Sequence, residues 1–405
     1  MGRPVPLRAG SSGSLAVGMP LPSRPARSRQ RQAYTSCVNR LGERVDWRDF
    51  LARPSLPPPP PEIFDALGRS PVLITGAGGS IGSGLALRLA HAALPGLVLL
   101  DSSENNLLHL QEALHAAPAA RGGEITLLLG DAGDRSLLNG LFTAHQLGTV
   151  FHAAAYKHVP FLEQQPLAAI ANNVFATEAV VAAAAEHGAS LVLLSTDKAV
   201  EPASVMGATK SIAEEIVLAR GGTVLRLGNV LDSSGSVTEV FARQIAHGEP
   251  LTVTDPAACR YFLTLDEAVN LLLLAAAQRE RNAVLAPALS RQHRIAELAG
   301  FMARTLAPNC EIPIHFVGLR PGDKLAEQLW SECESVAPVG GGLLSIQPVR
   351  PDPARFALDL DALRAALSTN DLSAAVAQLC VLVPGFRPTP GVLALARNRA
   401  ERAWV

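Results

Sequence analysis

From Val72 onward, short and mainly apolar runs alternate with longer stretches of helical periodicity. The runs are Val72–Thr75, Leu97–Leu100, Ile125–Leu129, Thr149–His152, Leu191–Leu194 and Val224–Leu227. Each is four or five residues long and shows little of the apolar–polar alternation of a half-exposed strand. Such runs suit strands covered on both faces, as in a parallel sheet. With helices such as the one read over Ile81–Ala93 between them, they predict an α/β fold: a Rossmann-type doubly wound parallel sheet, followed by a smaller C-terminal domain.

The first strand passes at once into Gly76, Gly79, Ser80, Ile81 and Gly82. Glycine suits a turn this tight, where backbone must approach a pyrophosphate closely. The helix N-terminus adds amide donors and positive potential. The second strand ends in Asp101, 19 residues after Gly82. A carboxylate there can accept from the 2′-hydroxyl of an adenosine ribose, which favours NAD and leaves NADP possible; it can also simply cap the helix that starts near Ser103. The third strand ends at Asp131 and Ala132. The fourth ends in Ala153–Ala155, small enough for a dinucleotide to lie against Ala153 and Ala154.

Composition narrows the classes. The 405 residues suit two or three domains and a large core. With 48% hydrophobic but only 4% aromatic residues, that core is built from Ala, Leu and Val. A net charge of −1 argues against nucleic-acid or membrane-surface partners. The longest apolar run, around Ala268–Ala277, contains Asn270 and is too short to span a bilayer, so no membrane segment is expected. Five scattered cysteines without a CxxC pair suggest neither a metal site nor disulfides, and a reducing cytoplasm. The first 40 residues lack Asp and Glu and are rich in Arg, Ser and Pro. We read them as a disordered extension or an over-long start, with Met19 as an alternative first residue. A short amphipathic helix over Val45–Arg53 and a polyproline linker at Pro57–Pro61 follow.

Of the 35 Lys and Arg residues only four are Lys: Lys157, Lys198, Lys210 and Lys324. A chain that uses Arg almost everywhere should keep Lys where a proton must be exchangeable. Two of them follow the fifth strand, which runs into Ser195, Thr196, Asp197 and Lys198 at the strand end where open α/β sheets place ligands. Met206 and Lys210 then open an Ala-rich helix to about Ala219 and share one helical face.

The segments TGAGGSIG, AAAYKH, STDKA, MGATK, RLGNVL and GLRPGDK resemble, in order, the motifs of the extended short-chain dehydrogenase/reductase superfamily. More narrowly, Val72 to Leu329 resembles the CapD-like polysaccharide-biosynthesis family of nucleotide-sugar 4,6-dehydratases, with Asp197-Lys198 as that group's mark. The resemblance implies an internal redox elimination on a nucleotide-diphosphate sugar such as UDP-N-acetylglucosamine. C4 is oxidised to a ketone, the C5 proton and C6 hydroxyl leave, and C6 is reduced. It assigns Lys198 as the C5 base, made neutral beside a positive Lys210, and Asp197 as the acid. Lys210 would hold the nicotinamide ribose, and Thr196 would bond the C4 oxygen. Met206 stands where the superfamily has tyrosine, a departure shared with long family members that retain C5 configuration. On the substrate side the resemblance points to Lys157, His158, Asn173 and Asn229, and places Arg260, Arg320 and Lys324 around the diphosphate. Asn173 resembles an asparagine that braces the strand ends.

The expected organisation is therefore an extension and linker over 1–61, a dinucleotide-binding domain over 62–228 and a mainly substrate-binding domain over 229–345, one of whose helices returns to the sheet. A helical extension over 346–405 follows, with helices at Ala357–Leu367 and Leu372–Leu382, suited to packing or to a homo-oligomer contact.

Overall fold

The computed structural model describes residues 45–117, 122–278 and 282–402; the expected disordered extension, with Met19, lies outside the described residues. Six apolar runs form the parallel strands β1 (Val72–Thr75), β2 (Gly96–Asp101), β3 (Glu124–Leu129), β4 (Thr149–His152), β5 (Ser190–Thr196) and β6 (Thr223–Leu227). Val72 pairs in register with Leu97 on one side and Thr149 on the other, so β1 lies between β2 and β4. The strand order reverses at that point, which is where open α/β sheets place their ligands, beyond the carboxyl ends of the strands.

The helices before and between these strands are α1 (Trp47–Leu51), α2 (Glu62–Leu67), α3 (Ser80–Ala90), α4 (Glu104–Ala116), α5 (Arg135–His145), α6 (Val159–Gln164), α7 (Pro166–Ala169), α8 (Ala176–Glu186) and α9 (Val205–Ala219). A π-helical turn, Ile170–Phe175, joins α7 to α8. The whole stretch Pro166–Glu186 is long and apolar enough to cross a membrane by composition, but 61% of that window is buried inside the protein. Leu73, Ile74, Phe151, Leu193 and Val224 form the two faces of the sheet's core and are fully buried.

Beyond β6 the chain moves to and fro. It leaves the sheet through β7 (Asn229–Val230), α10 (Val237–His247), β8 (Leu251–Val253), β9 (Cys259–Arg260) and β10 (Phe262–Leu263). It returns with α11 (Leu265–Ala276), packed on α3, β5 and β6, and with β11 (Val284–Pro287), parallel to β6. It leaves again through β12 (His293–Arg294), α12 (Ile295–Leu306) and β13 (Ile314–Phe316). Phe241, Phe262, Leu298 and Met302 form a separate core here, completed by Trp47 and Phe50 of α1.

The chain then comes back as a hairpin, β14 (Ser335–Gly340) and β15 (Leu343–Gln347), antiparallel to β11. The sheet thus has nine strands in the order β14-β15-β11-β6-β5-β4-β1-β2-β3. The boundary expected at 345 falls within β15. The hairpin is short and its first strand is largely exposed, so it carries no parallel-strand pattern. Three helices, α13 (Pro353–Ser368), α14 (Leu372–Leu382) and α15 (Pro390–Arg402), complete the chain where two were expected. They add Phe356, Leu363, Leu379 and Val392 to the core beneath α6 to α9.

Candidate active site

The glycine turn forms as its residue types require. Gly76 has φ +69°, and a Cβ there would lie 2.5 Å from the Ala154 backbone nitrogen. A Cβ on Gly82 would lie 2.1 Å from the Gly76 carbonyl oxygen. Small residues on both sides therefore let α3 start against the ends of β1 and β4. At Gly79, by contrast, an added Cβ meets only Gly76 O, at 3.3 Å. This is a cradle with room for a phosphate at the N-terminus of α3, so the residues present fit a dinucleotide.

Asp101 ends β2 and is buried. Its carboxylate accepts from Gly78 N at 2.9 Å and from Ser103 N at 2.8 Å. It thus braces the glycine loop and the turn into α4, whose N-cap is Ser103. The capping weighed for Asp101 falls instead to Ser103, whose side chain accepts from Asn106 N, while the Asp101 carboxylate shapes the turn before it. Asp131 accepts from Gly133 N, which shapes the turn after β3, and Ala132 is buried beside it.

At the end of β5 stand Thr196, Asp197 and Lys198. Asp197 is wholly buried. Its Oδ1 accepts from Thr196 Oγ1 at 2.9 Å and from Lys198 Nζ at 2.9 Å. Its Oδ2 is buried with no partner among the described residues. Lys198 Nζ also donates to Asn229 Oδ1 at 3.0 Å, which ties the first residue of β7 to the pair. Asn229, expected on the substrate side, therefore reaches the central lysine directly.

Helix α9 crosses behind this cluster. A Cβ on Gly207 would lie 2.2 Å from Lys198 O, so glycine permits the close crossing. Met206 is buried in the apolar core. Lys210 is buried, donates to Leu194 O at 2.8 Å and has its pKa pushed down to about 8, chiefly by burial, with Glu214 opposing. The sequence reading made Lys210 a positive partner of Lys198. Burial brings the loss of its proton closer to neutral pH, with Glu214 holding it back.

The loop after β4 carries Tyr156, Lys157 and His158, all exposed. Asn173, in the π turn, holds this loop: its Oδ1 accepts from Tyr156 N and its Nδ2 donates to Tyr156 O and Thr209 Oγ1. It is wholly buried, so it is a brace and does not face a substrate, which corrects its place among the substrate-side residues. The Ser233–Ser236 loop closes over this region. Ser234 N donates to Ser80 Oγ, and the His158 ring lies against Gly235.

The diphosphate group predicted from sequence is brought together only in part. Arg260 is buried, and its guanidinium donates to the carbonyls of Cys259, Lys324 and Leu325. Lys324 Nζ donates to Val200 O and pairs with Glu327. Arg260 and Lys324 thus meet around Glu327, but the fork of Arg260 fastens a loop and is not open to an anion. Arg320 is exposed and paired with Asp323. Among the described residues, no group of three or more His, Cys, Asp or Glu could hold a metal ion.

One polar residue of the strand ends has no counterpart in the sequence reading. His152 is buried between two hydroxyls, Thr75 Oγ1 at 2.6 Å and Thr177 Oγ1 at 2.9 Å. Burial first, and then Lys210, push its pKa down to about 3. An unfolded histidine binds its proton near pH 6.5. Between 6.5 and about 3 the unfolded chain holds the extra proton, so this residue makes stability fall as pH falls. The expected slope is about 1.4 kcal/mol per pH unit, read as a drop in urea midpoint from pH 6.5 to pH 4.5. His152→Gln should flatten it; an unchanged slope would exclude His152 as its source.

The fold and this site define an extended short-chain dehydrogenase/reductase. Residues 72–341 match the family described as polysaccharide biosynthesis protein, and the chain belongs to that family. It is 36% identical over 301 residues to a probable polysaccharide biosynthesis protein, EpsC, of Bacillus subtilis, covering 72% of this chain and 50% of that one. It is 32% identical to a UDP-glucose 4-epimerase of Rickettsia rickettsii, covering 65% of this chain and 78% of that one. The chain spans about half the length of the EpsC protein. Among solved structures it resembles Pen from Bacillus thuringiensis, at 27% identity and a TM-score of 0.64 over 70% of this chain and 89% of that one. It also resembles MoeE5 in complex with UDP-glucuronic acid and NAD, at 26% identity and a TM-score of 0.52 over 63% of this chain and 88% of that one.

Proposed function

We propose that the chain is an NAD-dependent nucleotide-sugar 4,6-dehydratase acting on UDP-N-acetylglucosamine in polysaccharide biosynthesis. One observation carries the reading: an adjacent acid and lysine at the end of β5, ion-paired, with one acid oxygen buried and unpartnered. Oxidation alone needs only the strand ends and Lys210; elimination also needs a second acid–base pair.

The glycine turn, Asp101, Asp131, Ala132, Ala153 and Ala154 would hold the cofactor's adenosine and pyrophosphate, and Lys210 its nicotinamide ribose. Bound there, the nicotinamide would supply the hydride acceptor for sugar C4 and the hydride donor for C6. The chain's own residues move the protons. Thr196 Oγ1 takes the proton of the C4 hydroxyl while passing its own to Asp197, to which it is already bonded. Protonated Asp197 no longer holds Lys198 as an ammonium, so Lys198 releases a proton to water and its free amine takes the C5 proton. Asp197 returns its proton to the departing C6 hydroxyl, which leaves as water. Lys198 then returns a proton to C5 from the face it left, which gives retention of configuration. Met206 contributes no proton; it is apolar packing beneath a route that runs through Thr196.

Thr196→Val, which keeps shape and deletes the hydroxyl, should slow the appearance of reduced nicotinamide absorbance by roughly 10²-fold or more. Met206→Leu should cost little rate and less than about 1.5 kcal/mol of stability. Equal rates of cofactor reduction in wild type and Thr196→Val would remove the hydroxyl from the route.

The test of the whole reading is mass spectrometry of products from a panel of nucleotide sugars, together with the dinucleotide released on denaturation. Loss of one water from UDP-N-acetylglucosamine, with NAD released, is expected. A product of unchanged mass with an inverted C4 would establish the second reading, a 4-epimerase, which the similarity to the Rickettsia rickettsii protein favours. Release of NADP would overturn the reading of Asp101.

A further inference from the structure

Beneath the end of β5 lies a buried charged chain that the proposed reaction does not use. Ser195 Oγ, directly before Thr196, donates to Glu214 Oε1 at 2.5 Å. Glu214 lies one helical turn beyond Lys210 on α9 and is buried. Arg226, opposite Ser195 in the β5–β6 register, donates from Nε to both Glu214 oxygens and from Nη2 to Glu214 Oε2 at 2.9 Å. The same guanidinium reaches Glu334 through Nη1 at 3.0 Å and Nη2 at 3.1 Å, and Leu329 O through Nη1 at 3.2 Å. Glu334 Oε2 in turn accepts from Ser331 N at 2.7 Å. Ser195, Glu214 and Arg226 are each at most 5% exposed, so water screens these charges little.

This chain joins three parts of the site: the strand that carries Thr196 and Asp197, the helix that carries Lys210, and the segment beyond Lys324 and Glu327. Isolated, a buried ion triad is weak grounds for stability, because desolvation offsets attraction. Its placement gives it another use. Among the described residues Lys210 donates to Leu194 O, an uncharged acceptor. The charged and titratable groups nearest it are Glu214 on its own helix, Arg226 and Glu334 beyond Glu214, His152 on β4, and Asp197 and Lys198 at the end of β5. His152 stays neutral through the physiological range, and Asp197 and Lys198 pair with each other. Of these, Glu214 is the charge that acts on Lys210 directly, and Arg226 and Glu334 reach it only through Glu214.

We propose that Glu214 is a positioning residue that keeps Lys210 an ammonium, and that Glu334, through Arg226, ties that charge to the placement of the substrate-side segment. Arg226 withdraws part of the Glu214 charge, and Glu334 restores it when the 324–334 segment is seated. A disordered segment leaves Arg226 facing Glu214 alone, and Lys210 loses its proton more readily. The proposal rests on the role given to Lys210 above, but its test does not depend on turnover.

Four lysines make the test direct. Protein labelled with 13C at the lysine ε carbons gives four signals, assigned through Lys157→Arg, Lys198→Arg and Lys324→Arg. The wild-type Lys210 midpoint is expected near the value of about 8. Glu214→Gln should lower it by roughly one unit, the low end of the effect of removing a close opposite charge. Glu214→Asp should restore most of that shift. Glu334→Gln, which leaves the Glu214–Arg226 pair intact, should lower the midpoint by a smaller amount. It also serves if Glu214→Gln does not fold. Ser195→Ala removes a contact but no charge and should leave the midpoint in place. An unchanged Lys210 midpoint in Glu334→Gln would overturn the tie to the substrate-side segment, and an unchanged midpoint in Glu214→Gln would overturn the whole proposal. Failure of the dehydratase reading would instead appear as absent product with these midpoints still shifted.

Discussion

Asp197→Asn should abolish water loss from the sugar, with turnover falling roughly 10²- to 10⁴-fold, the range for a positioned acid or base. The amide keeps the side chain's shape, and its oxygen can still accept from Lys198 or Thr196. It cannot receive the C4 proton or deliver one to the C6 oxygen. Lys198→Arg should fall as far, because the guanidinium can still pair with Asp197 but cannot become a base. The two variants should separate on one readout. Asp197→Asn retains an amine beside C5 and, supplied with the already oxidised 4-keto sugar, should still exchange its C5 proton with deuterated water, whereas Lys198→Arg should not. Wild-type turnover in either variant would remove that residue from the chemistry. Exchange in Lys198→Arg would assign the C5 proton to another group.

Gly79→Ala should uncouple cofactor binding from folding. Gly79 has φ −69° and ψ 165°, which alanine adopts without strain, and its added methyl meets only Gly76 O. The melting temperature of the cofactor-free protein should therefore hardly change. The methyl would, however, stand where a pyrophosphate meets the N-terminal amides of α3, so NAD affinity should fall by about tenfold or more by calorimetric titration. Gly82→Ala is the contrast, since its methyl would overlap the Gly76 carbonyl at 2.1 Å and should lower stability as well. Unchanged NAD affinity in Gly79→Ala would place the dinucleotide elsewhere.

The sequence alone determined the first six strands, the glycine turn and the acid–lysine pair. In each, the information is local. A buried parallel strand needs a run of apolar side chains, a tight turn beside a phosphate needs glycine, and the scarcity of lysine marks four positions with no knowledge of their neighbours. The Met206–Lys210 face is local as well, being set by helical spacing within α9. What the tertiary structure decided is the choice of partner across long separations. Arg260 and Arg226 are the same residue type, yet one fastens the carbonyls of residues 324 and 325 and the other joins Glu214 to Glu334. No spacing rule distinguishes them, because their partners lie 64 and 108 residues away. The hairpin on β11 was hidden for a related reason: an edge strand with one exposed face lacks the continuous apolar run of an interior strand. The charge on Lys210 was illegible too, since the burial that shifts it exists only once α9 has packed against β5 and β6.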